Sequence, residues 1–187
     1  MRSKKTLIIG LAGFPGAGKT TVTEYLKGKG FTRITLSDFI KEEAEKRGVH
    51  ITTREEYQDW GNAMRKEFGP GVLVRRAVDK ANKKKMNKVV IDGVRNPGEV
   101  SYLKGRGEFL LYGIVATTKL RYERIVKRKG SARAGTYADF LKQERREREL
   151  GSDEAGQRVT DCLKLADRIV HNNTSLKDLY HRLDHLW

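Results

Sequence analysis

The sequence predicts an α/β domain, a mostly parallel five-stranded sheet with helices on both faces. Three observations predict it. Short apolar runs alternate with longer amphipathic ones along the chain, the pattern of strands joined by crossover helices. The strongest strand candidates, "KVVID" (88–92) and "FLLYGIVA" (109–116), are rich in Val, Ile and Leu. The apolar run "TLIIGLA" (6–12) leads directly into a Gly-rich loop and then a helical stretch.

Taken in order, 6–12 reads as a buried strand, and the helix after it runs from about Gly18 to Lys27 before Gly28 and Gly30 end it. "FTRITLS" (31–37) is the second strand, followed by the charged helix "DFIKEEAEKRG", which stops at Gly48. Residues 49–86 interrupt the strand–helix rhythm with two helical patterns. The first opens at "TTREE", where Thr52 with Glu55 and Thr53 with Glu56 both fit a capping box, and runs to Phe68 before Gly69-Pro70-Gly71 closes it. The second runs from Val72 through the basic tail "KANKKKMNK". After the strands at 88–92 and 109–116, residues 118–150 are strongly helical with a small-residue break at 130–135. "DRIVHN" (167–172) is the final strand, and the last helix is capped by Thr174 or Ser175 before Leu176. With no repeat and no Pro- or Ser-rich linker, residues 1–187 read as one domain.

Composition narrows the function classes. A chain of 187 residues, 37% hydrophobic, supports one well-buried domain. Its 39 Lys and Arg against 24 Asp and Glu give a formal charge of +15, a field that attracts nucleotides, nucleic acids or an acidic membrane surface, or simply keeps the surface soluble. Cys162 is the only cysteine, which excludes an intrachain disulfide and a thiolate zinc cluster and suits a reducing cytoplasm. Gly10, Gly13 and Pro15 break the apolar stretch of the N-terminus, so it does not read as a targeting segment, and no run approaches the ~18 apolar residues of a membrane span. A soluble, cytoplasmic protein with no membrane partner is expected.

Gly13-Phe14-Pro15-Gly16-Ala17-Gly18-Lys19-Thr20 matches G-x-x-x-x-G-K-[ST] in full, between a strand and a helix. Gly16 and Gly18 let backbone N–H groups turn inward around phosphates without Cβ clashes, and the following helix adds its positive end. Lys19 is placed to reach the β and γ phosphates and Thr20 to ligate Mg²⁺; Gly13, Ala17 and Thr21 complete the nucleotide-contacting stretch. This makes the fold a three-layer P-loop NTPase fold and names ATP and Mg²⁺ as its cofactors. A switch GTPase would need Asn-Lys-x-Asp; "ANKKKMNKVV" has Asn-Lys twice with no Asp at the required spacing, so the kinase branch is favoured.

The second informative stretch is "VVIDGVRNPGEV" (89–100). Asp92, at the tip of a very apolar strand, can orient Mg²⁺ or its waters, and Arg95 beyond the Gly93 turn can grip a phosphate bidentately. The structural alternative is that Asp92 caps the helix starting near Pro97 and that Arg95 is solvated.

The P-loop, the Asp-Gly-x-Arg after the third strand and the Arg-rich helical stretch together resemble the nucleoside monophosphate kinase superfamily, nearest the nucleotide kinases related to dephospho-CoA kinase. "SDFIKEEAEKRG", "LRYERIVKR" and "ADRIVHNNTSLKDL" extend the similarity through most of the chain. The resemblance implies a helical acceptor-binding insertion at 49–86 and a helical lid at 118–150. It implies that Arg95 holds the acceptor's phosphate, and that Arg124 and Arg128, with Arg133 as a weaker candidate, neutralise charge on the transferring group. It also implies that the segment Asn172-Asn173 lies beside the adenine, meeting it through backbone groups. The lid arginines can instead be solvated partners of Glu123, Glu144 and Glu147.

Asp38 separates acceptor types. A hydroxyl acceptor needs a carboxylate to take or align its proton, whereas an acceptor phosphate is largely ionised near neutral pH. Dephospho-CoA kinases typically carry Asp-x-Asp here; this chain reads Leu36-Ser37-Asp38, and Ser37-Asp38 equally fit an N-cap for a helix from Phe39. In the 49–86 arm, Arg65 and Trp60 are acceptor-binding candidates beside Tyr57, Asn62 and Phe68, although Trp60, Met64 and Phe68 at helical spacing also suit a core. The expected activity is transfer of the γ-phosphoryl group of Mg²⁺-ATP to a nucleotide-type acceptor, foremost a (deoxy)nucleoside monophosphate. The alternatives are dephospho-CoA and a hydroxyl carried on DNA or RNA, the latter suggested by the charge.

Overall fold

A computed structural model describes residues 6–106, 108–129, 135–149 and 155–186. Strands β1 (Leu7–Ala12), β2 (Thr32–Thr35), β3 (Lys88–Val94), β4 (Glu108–Val115) and β5 (Arg168–His171) form one sheet in the order β2-β3-β1-β4-β5. Every pairing is parallel, which makes the sheet more regular than the mostly parallel one the sequence predicts. The helices are α1 (Lys19–Gly28), α2 (Leu36–Lys46), α3 (Arg54–Phe68), α4 (Val72–Lys83), α5 (Pro97–Lys104), α6 (Thr118–Lys129), α7 (Tyr137–Glu149), α8 (Val159–Lys164) and α9 (Leu176–Asp184).

The strand period of two divides the buried residues between two cores. On one face Ile8, Ala12, Val89 and Ile91 meet Leu36, Phe39, Leu73 and Ala77 from α2 and α4. On the other Ile9, Leu11, Val90 and Ile114 meet Val22 and Leu26 of α1 and Leu179 and Leu183 of α9. Each fully buried branched side chain stabilises the fold by about 1.5–3 kcal/mol, so helices are held on both sides and the sheet is the middle of three layers. The order places β1 between β3 and β4, and open parallel sheets bind ligands at the carboxyl ends of the strands beside such a reversal.

Two element boundaries differ from the sequence reading, and both move functional residues. α2 begins at Leu36, not Phe39, with Thr35 as its extended N-cap. Leu36, Phe39, Ile40, Glu43 and Ala44 are buried at spacings of 3, 4, 7 and 8, a single helical stripe that is complete only if the helix includes Leu36. Asp38 lies off that stripe and is exposed. β3 continues past 92 to Val94: Leu11 pairs with Asp92 and Ala12 with Val94, so Gly93 is an extra residue, at φ 100°, that bends the strand.

Of the two capping boxes legible at the start of α3, Thr53 with Glu56 forms. α4 carries its basic tail to the edge where strands begin, because β3 starts at Lys88 directly after it. At about 3.3 Å per residue, the seven residues of β3 put that tail on the order of 20 Å from the carboxyl edge. In the lid region, the rings of Tyr122 and Tyr137 pack at 5.0 Å and those of Tyr122 and Phe140 at 5.6 Å, tying α6 to α7. Arg133 lies outside the described residues.

Asn96 joins two segments distant in sequence. Its Oδ1 accepts from the Gly98 N–H at 2.7 Å, capping α5, and its Nδ2 donates to the Gly156 carbonyl at 2.8 Å. Asn96→Ala removes the cap and the hydrogen bond to the Gly156 carbonyl, so the variant is expected to lose about 2 kcal/mol in chemical denaturation, with the midpoint shifted and the slope unchanged.

Candidate active site

The loop between β1 and α1 is built on backbone that only glycine adopts readily. Gly13, Gly16 and Gly18 have φ of 149°, 77° and 105°. A Cβ on Gly13 would stand 2.3 Å from the Ile114 carbonyl oxygen, and one on Gly18 would stand 2.1 Å from Asn172 Nδ2. Gly18 is also the left-handed N-cap of α1, so the unpaired N–H groups of the first turn open onto the cavity that Lys19, Thr20 and Thr21 line. The Lys19 ammonium donates to the carbonyls of Gly13 at 2.6 Å and Phe14 at 3.3 Å, which holds its charge over the loop.

Asn172 fastens this loop from behind. Its Nδ2 donates to the Ala17 carbonyl at 2.8 Å, its Oδ1 accepts from Arg124 Nη2 at 3.3 Å, and its backbone N–H donates to Val115. The side chain is buried and does not line the main cavity. The Asn172 side chain is thus a buckle between β5, the P-loop and α6, which leaves the backbone of Asn172-Asn173 as the part that would meet adenine.

Arg121, which carried no signal in the sequence, is the second fastening. It is 3% exposed, pairs with the buried Glu144 of α7, and donates to the Ala116 carbonyl at 3.1 Å and the Pro15 carbonyl at 3.4 Å. Its guanidinium also lies over the rings of Phe14 and Phe140. Glu144 is therefore not a solvated partner of Arg124 or Arg128. Arg124 has neutral partners only, the Gly16 carbonyl and Asn172, and partial burial lowers its pKa from the ordinary arginine value. A partly desolvated cation with no carboxylate beside it among the described residues favours a bound anion.

These elements enclose a cavity of about 850 Å³, at the upper end of the range for small-ligand sites. Lys19, Arg33, Arg54, Arg65, Arg95, Arg124 and Arg128 line it, against Asp92 as the single carboxylate among the lining residues. Asp92 is itself paired with Arg33, Nη2 to Oδ2 at 2.9 Å. Arg95 is fixed at three points. Its N–H donates to Glu99 Oε2 at 2.8 Å, its carbonyl accepts from the Arg158 N–H at 2.7 Å, and its Nη1 donates to Gln157 Oε1 at 3.3 Å.

Several predicted residues fall elsewhere. Asp38 does not line the cavity: it sits in the exposed face of the first turn of α2, and Ser37 is turned inward in its place. It does not cap α2 either, since Thr35 holds that position. Asp92 does not cap α5; Asn96 does. Trp60 is packed against the core with Arg47 over its ring, and the arm presents Tyr57 and Arg54 to the cavity. Arg65 reaches the cavity wall but is 2% exposed, and its Nε and Nη2 both donate to Glu99 Oε1, at 3.0 and 2.8 Å. Its charge is committed to a buried ion pair. Sequence reasoning missed Arg33, Glu99, Gln157 and Arg121. Of these only Glu99 had a local signal, as the third residue of a box beginning at Asn96 and followed by Pro97.

The set suits a nucleoside triphosphate and Mg²⁺. The loop and its cations match polyphosphate, and the Thr20 hydroxyl and Asp92 carboxylate are the two oxygen donors that would hold the metal, consistent with an ion bound mainly through phosphates and water. His181 and His185 have ring nitrogens 3.2 Å apart on α9, but among the described residues no cluster of three or more His, Cys, Asp or Glu side chains offers a metal site.

The AAA domain family matches residues 9–151. The UPF0200 protein PH1008 of Pyrococcus horikoshii is 32% identical over 95% of this chain and 94% of its own length. Among solved structures, TT1252 from Thermus thermophilus superposes with a TM-score of 0.63 at 21% identity, covering 98% of this chain and 97% of that one. A shikimate kinase from Bacteroides thetaiotaomicron superposes with a TM-score of 0.57 at 16% identity, over 96% and 97% of the two chains.

Because the Asn172 side chain is bonded to the loop and to Arg124, Asn172→Ala is expected to weaken ATP and GTP binding by a similar factor, about tenfold (~1.4 kcal/mol), in fluorescence titration. A loss confined to ATP would return Asn172 to an adenine-reading role.

Proposed function

The chain belongs to the AAA domain family and to the UPF0200 proteins, with a kinase-like P-loop fold, and from this premise we propose that it transfers the γ-phosphoryl group of Mg²⁺-ATP to an acceptor that already bears a phosphate. The (deoxy)nucleoside monophosphates are the foremost class. The observation that carries the reading is the charge balance of the cavity: with Arg65 set aside by its pair with Glu99, six cationic side chains face one carboxylate among the described lining residues, and that carboxylate is paired with Arg33.

A hydroxyl acceptor must lose a proton as it attacks, and Asp38, the carboxylate proposed for that task, stands outside the cavity. A phosphate monoester loses its second proton near pH 6, so at neutral pH its oxygen attacks without a base. In that reaction an acceptor oxygen bonds to the γ-phosphorus, the bond from it to the β–γ bridging oxygen breaks, and the electron pair leaves with ADP; no net proton moves. Two polyanions must be brought together for this, and the cost of their repulsion is what cationic side chains offset.

The roles follow from position. The P-loop amides and Lys19 hold the donor phosphates, Arg124 and Arg128 meet the transferring group from the lid side, and Arg95 holds the acceptor phosphate from the opposite wall. Thr20 and Asp92 would hold Mg²⁺, which would supply further neutralisation of the phosphate charge. The small cavity beside Phe14, Thr117 and Arg121 stays outside this scheme.

The basic tail at 80–88 supports no polynucleotide reading, since it lies at the opposite edge of the sheet from the cavity. Incubation with labelled ATP and a panel of ribo- and deoxynucleoside monophosphates, with dephospho-CoA and hydroxymethylated DNA beside them, is expected to give ADP with monophosphates. Asp38→Asn should leave kcat within about threefold, and Asp92→Asn should lower it by about two orders of magnitude (~3 kcal/mol). Turnover confined to a hydroxyl acceptor, with loss in Asp38→Asn, would overturn the reading.

A further inference from the structure

We propose that Gln157 binds the acceptor's phosphate, acting with Arg95 as a two-pronged donor for one oxyanion. The inference rests on the reading of the cavity as a phosphoryl-transfer site and adds a residue that no motif marks. Gln157 follows the lid, in the segment Ala155-Gly156-Gln157-Arg158, which is fastened to the β3–α5 junction. Asn96 Nδ2 donates to the Gly156 carbonyl at 2.8 Å, and the Arg158 N–H donates to the Arg95 carbonyl at 2.7 Å. The backbone on both sides of Gln157 is thereby fixed against that of Arg95 and Asn96.

The side chain is 4% exposed and lines the large cavity. Its amide could present either an oxygen or an NH₂ group, and Arg95 decides which. A guanidinium only donates, so the amide oxygen must face Arg95 Nη1, as it does at 3.3 Å. The NH₂ group is then the end left to bond. Among the described residues it donates to no protein group, and it is not sealed from solvent. A nearly buried amide whose open donor faces the cavity is a position where the oxygen of a bound ligand would take the place of water.

What accepts is defined by its neighbours. The Gln157 amide nitrogen and the Arg95 guanidinium, coupled through one hydrogen bond, are two donors beside one another on a cavity wall whose described charged lining is mostly cationic. Paired donors of this kind suit two oxygens of a single tetrahedral oxyanion. The phosphate could belong to the acceptor or be the γ-phosphate of the donor nucleotide. The inference assigns it to the acceptor, because Arg95 leaves the β3–α5 junction, the segment of Gln157 is fastened to that junction, and neither residue belongs to the P-loop.

The test uses the full chain carrying Gln157→Met, which keeps the length and removes the donor, and Gln157→Glu, which offers Arg95 a carboxylate and the cavity an oxygen. Circular dichroism and thermal unfolding establish that each variant is folded. Calorimetric titration with nucleoside monophosphates, with inorganic pyrophosphate and separately with a non-hydrolysable ATP analogue reads binding without turnover. Gln157→Met is expected to weaken monophosphate binding about tenfold and Gln157→Glu about a hundredfold, while the ATP analogue binds as before. In turnover, the acceptor KM of Gln157→Met should rise by the same factor with kcat within about threefold. Unchanged monophosphate affinity in a folded Gln157→Met overturns the assignment, as does a loss that falls equally on the ATP analogue. Should no acceptor be phosphorylated while monophosphate binding still depends on Gln157, the binding role stands and the transferase reading falls.

Discussion

The cavity wall proposed for the acceptor depends on one carboxylate. Glu99 is fully buried, and both of its oxygens are in use: Oε1 accepts from Arg65 of α3, and Oε2 accepts from the backbone N–H groups of Arg95 and Asn96. That single group therefore closes the N-terminus of α5, holds α3 against it and fixes the backbone of Arg95. Burying an ion pair is expensive, and its desolvation cost commonly exceeds the attraction it gains. The arrangement is understandable where geometry matters more than stability: several arginines must sit around one cavity without collapsing onto stray acids or swinging free. Glu99 removes Arg65 from the set available to a ligand and in exchange positions Arg95.

The donor side has its own fastenings, and they converge on the same loop. Asn172 bonds the Ala17 carbonyl, Arg121 bonds the Pro15 carbonyl, and Arg124 reaches both Gly16 and Asn172. Since Arg121 also pairs with Glu144 of α7, the helices of the lid and the phosphate loop share a mechanical link. A shift of α7 would be felt at the loop through this pair, because a buried guanidinium separated from its carboxylate has no water to turn to.

How far the sequence could be read follows from how local each signal is. The P-loop is written in eight consecutive residues whose chemistry needs nothing distant, and the strands announce themselves as unbroken apolar runs. Asp92 and Arg95 are nearly as local, because a strand end and a Gly turn position them. Asp38 fails because its direction depends on the phase of α2, and that phase is set by Leu36 joining the buried stripe three residues earlier than the polar Ser37-Asp38 pair suggests. Arg65 and Trp60 lie on the right helix, but which side faces the cavity is decided by α5 and by Arg47, neither of which the α3 sequence contains. Gln157 and Arg121 acquire meaning only from partners 62 and 106 residues away, at Arg95 and Pro15. The net charge of +15 is legible in the cavity lining, while Lys80, Lys83, Lys84, Lys85 and Lys88 sit at the far edge of the sheet and take no part in it.

The central claim is that one cavity holds two phosphate-bearing ligands end to end, the donor on the P-loop and the acceptor on the wall made by Arg95 and Gln157. Calorimetric titration with a bisubstrate compound, two nucleosides joined by a chain of five phosphates, tests it most directly. The account predicts affinity at least a hundredfold above that of ATP, because joining the ligands removes the entropic cost of binding the second one. Affinity equal to that of ATP, with the second nucleoside contributing nothing, would contradict it.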